Sequence, residues 1–153
     1  MTDTGGLTLR LHRVVPARCA RVFGACTDAD ELAHWWGPHG FTTPQIDLDL
    51  RVGGAFRFAM QPPDGEVFHL AGEFRTIEPP ARLEYTFRWE EPDPDDRETV
   101  VDLSFRDLDD STEVRLVQSG FATEARRALH EAGWTDGLDR LQELMSARGS
   151  AEG

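Results

Sequence analysis

Two histidines, His34 and His39, flank the stretch Trp35-Trp36-Gly37-Pro38, and imidazole is the side chain suited to metal ligation or proton transfer near neutral pH. Two imidazoles on one helix face need a spacing of three or four. Here the spacing is five and a Gly-Pro turn intervenes, so no metal site is expected. His130-Glu131 lacks the second histidine of a zinc-binding helix, and His12 and His69 fall on the polar phase of their strands, so all three read as surface histidines. Cys19 and Cys26 are seven apart, neither a redox pair nor half of a zinc site, and are expected to be buried free thiols. The chain contains no lysine and no asparagine, which removes Schiff-base chemistry, a phosphate-loop lysine and N-glycosylation. No GxSxG elbow or glycine-rich phosphate loop is present, and no cofactor is expected. The remaining candidates for catalysis are Tyr85 and Gln118, polar tips on an otherwise apolar strand phase, and Glu73 beside Gly72. These residues identify no reaction.

The elements that must position such groups follow from periodicity. Residues 7 to 15, LTLRLHRVV, alternate apolar and polar as a half-buried strand does, and Pro16 ends the run. Val22, Phe23, Ala25 and Cys26 have helical spacing. Asp28, with Glu31 three residues on, is an N-cap for a second short helix that Gly37-Pro38 stops. From Pro44 the period returns to two through PQIDLDL, GGAFRFAM, EVFHLAGEFRTI, RLEYTFRW, ETVVDLSFRDL and TEVRLVQSGF, a meander of about six antiparallel strands. The run EEPDPDDRE at 90 to 98 has no apolar residue and reads as a solvated hairpin loop. A long helix is expected from Thr123 as N-cap through Ala147.

One strand phase carries Phe56, Phe58, Met60, Phe68, Leu70, Phe74, Leu83, Tyr85, Phe87, Trp89, Leu103 and Phe105, while the other carries Arg57, Glu73, Arg75, Glu84, Arg88, Asp102 and Arg115. Such a sheet is one-sided and needs a cover. The stripe Trp134, Gly137, Leu138, Leu141 and Met145, with Leu129 a turn upstream, supplies it. Gly133 and Gly137 each cost a helix interior about 1 kcal/mol relative to Ala, which suggests either close backbone approach or room for a guest. Neighbours on a helix point about 100° apart, so Trp35 and Trp36 divide their roles, one anchoring the short helices and the other lining a cavity mouth. The expected lining of a small-molecule pocket is Trp35, Trp36, Phe56, Phe58, Leu70, Tyr85, Phe87, Trp89, Leu103, Gln118, Trp134 and Leu138.

Charge excludes several partners. With 28 acidic against 16 basic residues the formal net charge is −12, which disfavours nucleic acid and anionic membrane surfaces. No stretch approaches the roughly 20 apolar residues of a membrane span, and MTDTGG has no signal-peptide character, so a cytoplasmic protein is expected. One domain over residues 7–147 is expected, with flexible termini at 1–6 and 148–153. A homodimer is left open.

In order along the chain, Trp35-Trp36-Gly37-Pro38, Gly53-Gly54-Ala55-Phe56-Arg57-Phe58, Gly72-Glu73, Glu78-Pro79-Pro80-Ala81-Arg82-Leu83, Tyr85-Thr86-Phe87, Ser119-Gly120-Phe121 and Gly133-Trp134 resemble the family related to the activator of heat-shock-protein-90 ATPase, within the START (SRPBCC) superfamily. The resemblance spans about residues 7 to 145. It implies an α+β helix-grip fold (START/Bet v 1-like): a curved antiparallel sheet of six or seven strands gripping a long C-terminal helix, with two short helices after the first strand. It also implies binding of a small hydrophobic or aromatic molecule between sheet and helix. Cyclase, dehydratase or hydrolase chemistry on a polyketide-like substrate, using Tyr85 and Gln118, and a chaperone-linked interaction module are the alternatives. Relatives often show His where this chain has Gln118, so an acid/base role of such a histidine does not carry over.

Overall fold

The structure, a computed structural model, describes residues 7–91, 94 and 96–152, of which 147–152 are described by backbone alone. The alternating run at the start forms β1 (Leu7–Val15), and two short helices follow, α1 (Cys19–Ala25) and α2 (Ala29–Trp35). Asp28 caps α2, its carboxylate accepting from the backbone N–H groups of Asp30 and Glu31 and so satisfying two donors that a helix start leaves unpaired. The meander is β2 (Thr42–Leu48), β3 (Ala55–Gln61), β4 (Phe68–Glu78), β5 (Arg82–Trp89), β6 (Thr99–Asp107) and β7 (Thr112–Phe121). It is followed by α3 (Glu124–Glu152), where Thr123 Oγ1 accepts from the Arg126 N–H. Helical backbone thus runs past the expected end at Ala147. The expected flexible segment at 1–6 lies outside the described residues.

The sheet is antiparallel throughout in the order β1-β7-β6-β5-β4-β3-β2, so the first strand pairs with the last and the two short helices carry the chain across to the opposite edge. Its inner face is buried as the alternation requires: Phe56, Phe58, Phe74, Leu83, Tyr85, Phe87, Leu103 and Phe105 are all 5 % exposed or less. The outer face carries cross-strand ion pairs between Arg82 and Asp102 (2.8 Å) and between Arg106 and Glu113 (3.0 Å), each contributing at most about 1 kcal/mol in water. Helix α3 lies across the inner face through Trp134, Leu138, Leu141 and Met145. Cys19 and Cys26 are free and buried, and burial pushes the Cys26 thiol up to about 12. No helix among the described residues is long and apolar enough to cross a membrane.

Two expectations about α3 are corrected. Leu129 is 57 % exposed, whereas His130, read as a surface residue, is buried at 9 %. The physical reason is helix phase: His130 precedes Trp134 by four residues, and Trp134, Leu138, Leu141 and Met145 continue the same stripe. Leu129 is rotated about 100° from that stripe.

Candidate functional site

The two tryptophans at the end of α2 face different neighbours. The Trp35 indole is 2 % exposed and donates to the Ala25 carbonyl (2.9 Å), tying α2 back onto α1. The Trp36 ring meets Phe58 edge-on at 5.0 Å and Trp134 at 5.1 Å. Gly37, at a φ of +92° that favours glycine, then turns the chain outward. Arg140 fastens this turn to α3 by donating to the carbonyls of Trp36, Gly37 and Pro38 at 3.0, 3.1 and 3.2 Å. Arg140 therefore sets the position of the loop.

Between this loop, the ends of β4 and β5, and the first half of α3 lies a cleft of about 510 Å³. Phe41, Met60, Phe68, Leu70, Phe87 and Trp89 form its apolar walls, and Trp36 and Trp134 border it from the core side. Gly133 and Gly137 face it from α3. A Cβ at Gly133 would meet only Pro38 Cγ, at 3.8 Å, and one at Gly137 nothing closer than 3.8 Å. These glycines are thus not required by backbone contact; they leave space.

His130, which sequence reasoning placed on the surface, is buried and borders the cleft. The Trp89 indole N–H donates to its Nε2 at 3.2 Å, and its ring packs 4.9 Å from Phe121 and 5.4 Å from Phe87. Burial, with a smaller contribution from the Arg126 charge, pushes its pKa down to about 4, so the imidazole is neutral at neutral pH. Its four-residue spacing from Trp134 was the available signal. At the same end of the cleft the Arg126 guanidinium pairs with Asp96 at 3.4 Å, with side chains 18 % and 8 % exposed. Asp96 corrects the reading of 90 to 98 as wholly solvated: the loop sends one carboxylate inward to an arginine, which makes its burial tolerable. Its neighbours Glu90 and Glu91 pair instead with Arg57 and His69, Glu91 at the rim of the cleft.

Of the expected lining, Trp36, Leu70, Phe87, Trp89 and Trp134 border the cleft, whereas Trp35, Phe56, Phe58, Leu103 and Leu138 lie in the packed core beside it. Gln118 is fully buried and already engaged: its Oε1 accepts from the Trp134 indole (2.8 Å) and its Nε2 donates to Thr99 Oγ1 (2.8 Å). It holds Trp134 in place from behind. Tyr85 packs against Phe56 at 5.2 Å and Phe74 at 6.1 Å, away from the cleft, and burial pushes its phenol well above the ordinary value. Glu73 is exposed on the outer face. Tyr85, Gln118 and Glu73 are therefore not brought together on one surface of the cleft. His39 does gather with Asp136 and Asp139, donor atoms within 4.8 Å, but these are partly exposed groups and Asp139 is held by Arg13.

A seven-stranded antiparallel sheet gripping one long helix, with two short helices after the first strand, defines a helix-grip protein of the START (SRPBCC) type. More narrowly, the chain belongs to the family described as activator of Hsp90 ATPase homolog 1-like protein, which it matches over residues 16–146. Among solved structures it is similar to a protein from Chromobacterium violaceum, at 28% identity and a TM-score of 0.82 over 90% of this chain and 96% of that one. It is also similar to the AHSA1 protein of Silicibacter pomeroyi, at 27% identity and a TM-score of 0.81 over 93% and 99% of the two chains. A protein from Arthrobacter aurescens at 24% identity, with a TM-score of 0.79 over 96% and 90%, shares the fold. No curated protein matches the chain.

Proposed function

We propose that this protein binds a small, largely apolar or aromatic molecule in the cleft between β4, β5 and α3. The observation that carries the reading is the pair of helix-interior glycines, Gly133 and Gly137, facing about 510 Å³ of space that surrounding aromatic side chains do not fill. Burying about 300 Å² of ligand apolar surface at roughly 25 cal/mol per Å² contributes about 7 kcal/mol before ordering costs, so apolar probes are expected to bind at micromolar strength or weaker.

A thermal-shift screen of fatty acids, aromatic polyketide-like compounds and hydrophobic hormones tests the reading, since a ligand at about 100 times its Kd stabilises the fold by about 2.7 kcal/mol. Gly133→Leu supplies the matching variant. Its side chain occupies the cleft, so hits should weaken by about tenfold or more, while helix propensity keeps stability equal to or above that of the parent. Gly133→Ala should retain binding and gain up to about 1 kcal/mol. Unchanged affinity in the leucine variant would remove the cleft from consideration.

A second reading, turnover of the bound molecule, is favoured by one observation: His130, an imidazole kept neutral, borders the cleft, and with Nε2 accepting from Trp89 its Nδ1–H is a donor able to polarise a substrate carbonyl. It predicts product formation by the wild type that His130→Gln abolishes while apolar probes still bind.

A further inference from the structure

The charged groups around the cleft are unequal. Among the described residues, Glu91, Asp96 and Asp136 border it against the guanidinium of Arg126, which leaves two negative charges in excess. Arg126 is itself paired with Asp96, so it offers an incoming carboxylate or phosphate little uncompensated charge. His130 adds none at neutral pH. Glu91 accepts from the His69 backbone N–H at 2.9 Å, which holds its carboxylate below the ordinary range and keeps it charged. Glu91 and Asp96, which border this end, belong to a chain of net charge −12. An anionic amphiphile would meet repulsion at the mouth.

The walls complement the same sign of ligand. Indole and benzene rings carry a negative quadrupole on their faces and attract organic cations, most strongly where water is excluded. Phe87 and Trp89 meet at 86° with centroids 5.1 Å apart, and Trp36 and Trp134 at 76° and 5.1 Å. Neighbouring rings therefore form corners rather than stacks, as the walls of an aromatic cage do. Fatty acids and other anionic amphiphiles need an unpaired basic group at the polar end, and the cleft presents a salt-bridged one.

We propose that the cleft selects hydrophobic organic cations, amines or quaternary ammonium groups carried on an aromatic or aliphatic body, with the body against the Phe68, Phe87 and Trp89 wall and the charge toward the Glu91 and Asp136 rim. This rests on the cleft being the binding site, and the test separates the two claims. Three probes of one shape, 2-(2-naphthyl)ethylammonium, 2-(2-naphthyl)ethanol and 2-naphthylacetate, are titrated calorimetrically against the full chain at neutral pH. The ammonium should bind about tenfold or more tightly than the carboxylate, with the alcohol between them, and the preference should shrink at high salt as exposed carboxylates are screened. Glu91→Gln combined with Asp136→Asn, both at partly exposed positions, should narrow the gap between ammonium and carboxylate while leaving the alcohol unchanged. Binding of the alcohol with no preference for the ammonium, or a preference that survives the double variant in full, overturns the cation proposal and leaves the cleft standing. Failure of all three probes to bind removes the cleft reading and this inference with it.

Discussion

Gly72→Ala should lower stability by about 3 kcal/mol or more, a fall in Tm of roughly 6–12 °C for a domain of this size, as read by thermal or chemical denaturation. Gly72 stands opposite Phe56 in the β3–β4 pairing. A methyl group there would collide with the Thr86 carbonyl oxygen and lie 2.5 Å from Phe56 Cζ. The carbonyl belongs to the neighbouring strand and cannot yield without disturbing the contact in which the Glu73 N–H donates to Thr86 Oγ1 at 2.9 Å. Phe56 cannot move freely either, being packed against Phe58, Phe74 and Tyr85. The contrast with Gly133→Ala is the informative part. Both are glycine-to-alanine changes inside regular structure, yet one meets backbone and a core ring while the other meets only Pro38 at ordinary contact distance. Equal stability of the two variants would contradict the packing described for the β3–β4–β5 core.

Acidification should destabilise the protein through His130 before its carboxylates titrate. The folded-state pKa of about 4 lies below the ordinary 6.5, so the unfolded chain binds the proton more readily. The stabilisation is fully present above about pH 6.5 and is lost as pH falls from there toward about 4, for a total of about 3 kcal/mol. About 2 kcal/mol of that should already be gone between about pH 7 and about pH 5. The groups facing the ring are Arg126, whose charge opposes protonation, Asp96 beside Arg126, and the uncharged Trp89, Phe87 and Phe121. Glu90, Glu91, Glu113 and Asp139 also have lowered pKa values, through hydrogen bonds to Arg57, His69, Arg106 and Arg13, and add their losses at lower pH. Urea denaturation of the wild type and His130→Gln across this range separates the contributions. The glutamine variant should show a flattened dependence between about pH 7 and pH 5, and a slope identical to the wild type would place the effect elsewhere.

Much of the architecture was legible because it depends on local periodicity. Alternation from Phe56 to Leu116 assigns one side of β3 to β7 to the core, since reversing it would bury arginine and glutamate without partners. Asp28 and Thr123 mark helix starts because a short polar side chain satisfies amides that the helix itself leaves open. The candidate site was legible only in part. Trp36, Leu70, Phe87, Trp89 and Trp134 were assigned to it from strand and helix phase alone and do border the cleft. Tyr85 and Gln118 have the same phase and similar polarity, yet they lie where the interior is closed, because position along the strand, not which face a residue points to, separates a packed layer from an open one.

The sequence by itself determined the element order, the apolar and charged faces and the helix that covers the sheet, since each follows from spacing within a dozen residues. Only the tertiary structure decided where the covering is incomplete, that Gln118 is spoken for by Trp134, that His130 turns inward, and that Arg140 and Asp96 reach across to other elements. Those outcomes depend on distances between residues far apart in the chain. No local pattern encodes the gap left when a long helix spans a seven-stranded sheet and two of its residues have no side chain to fill it.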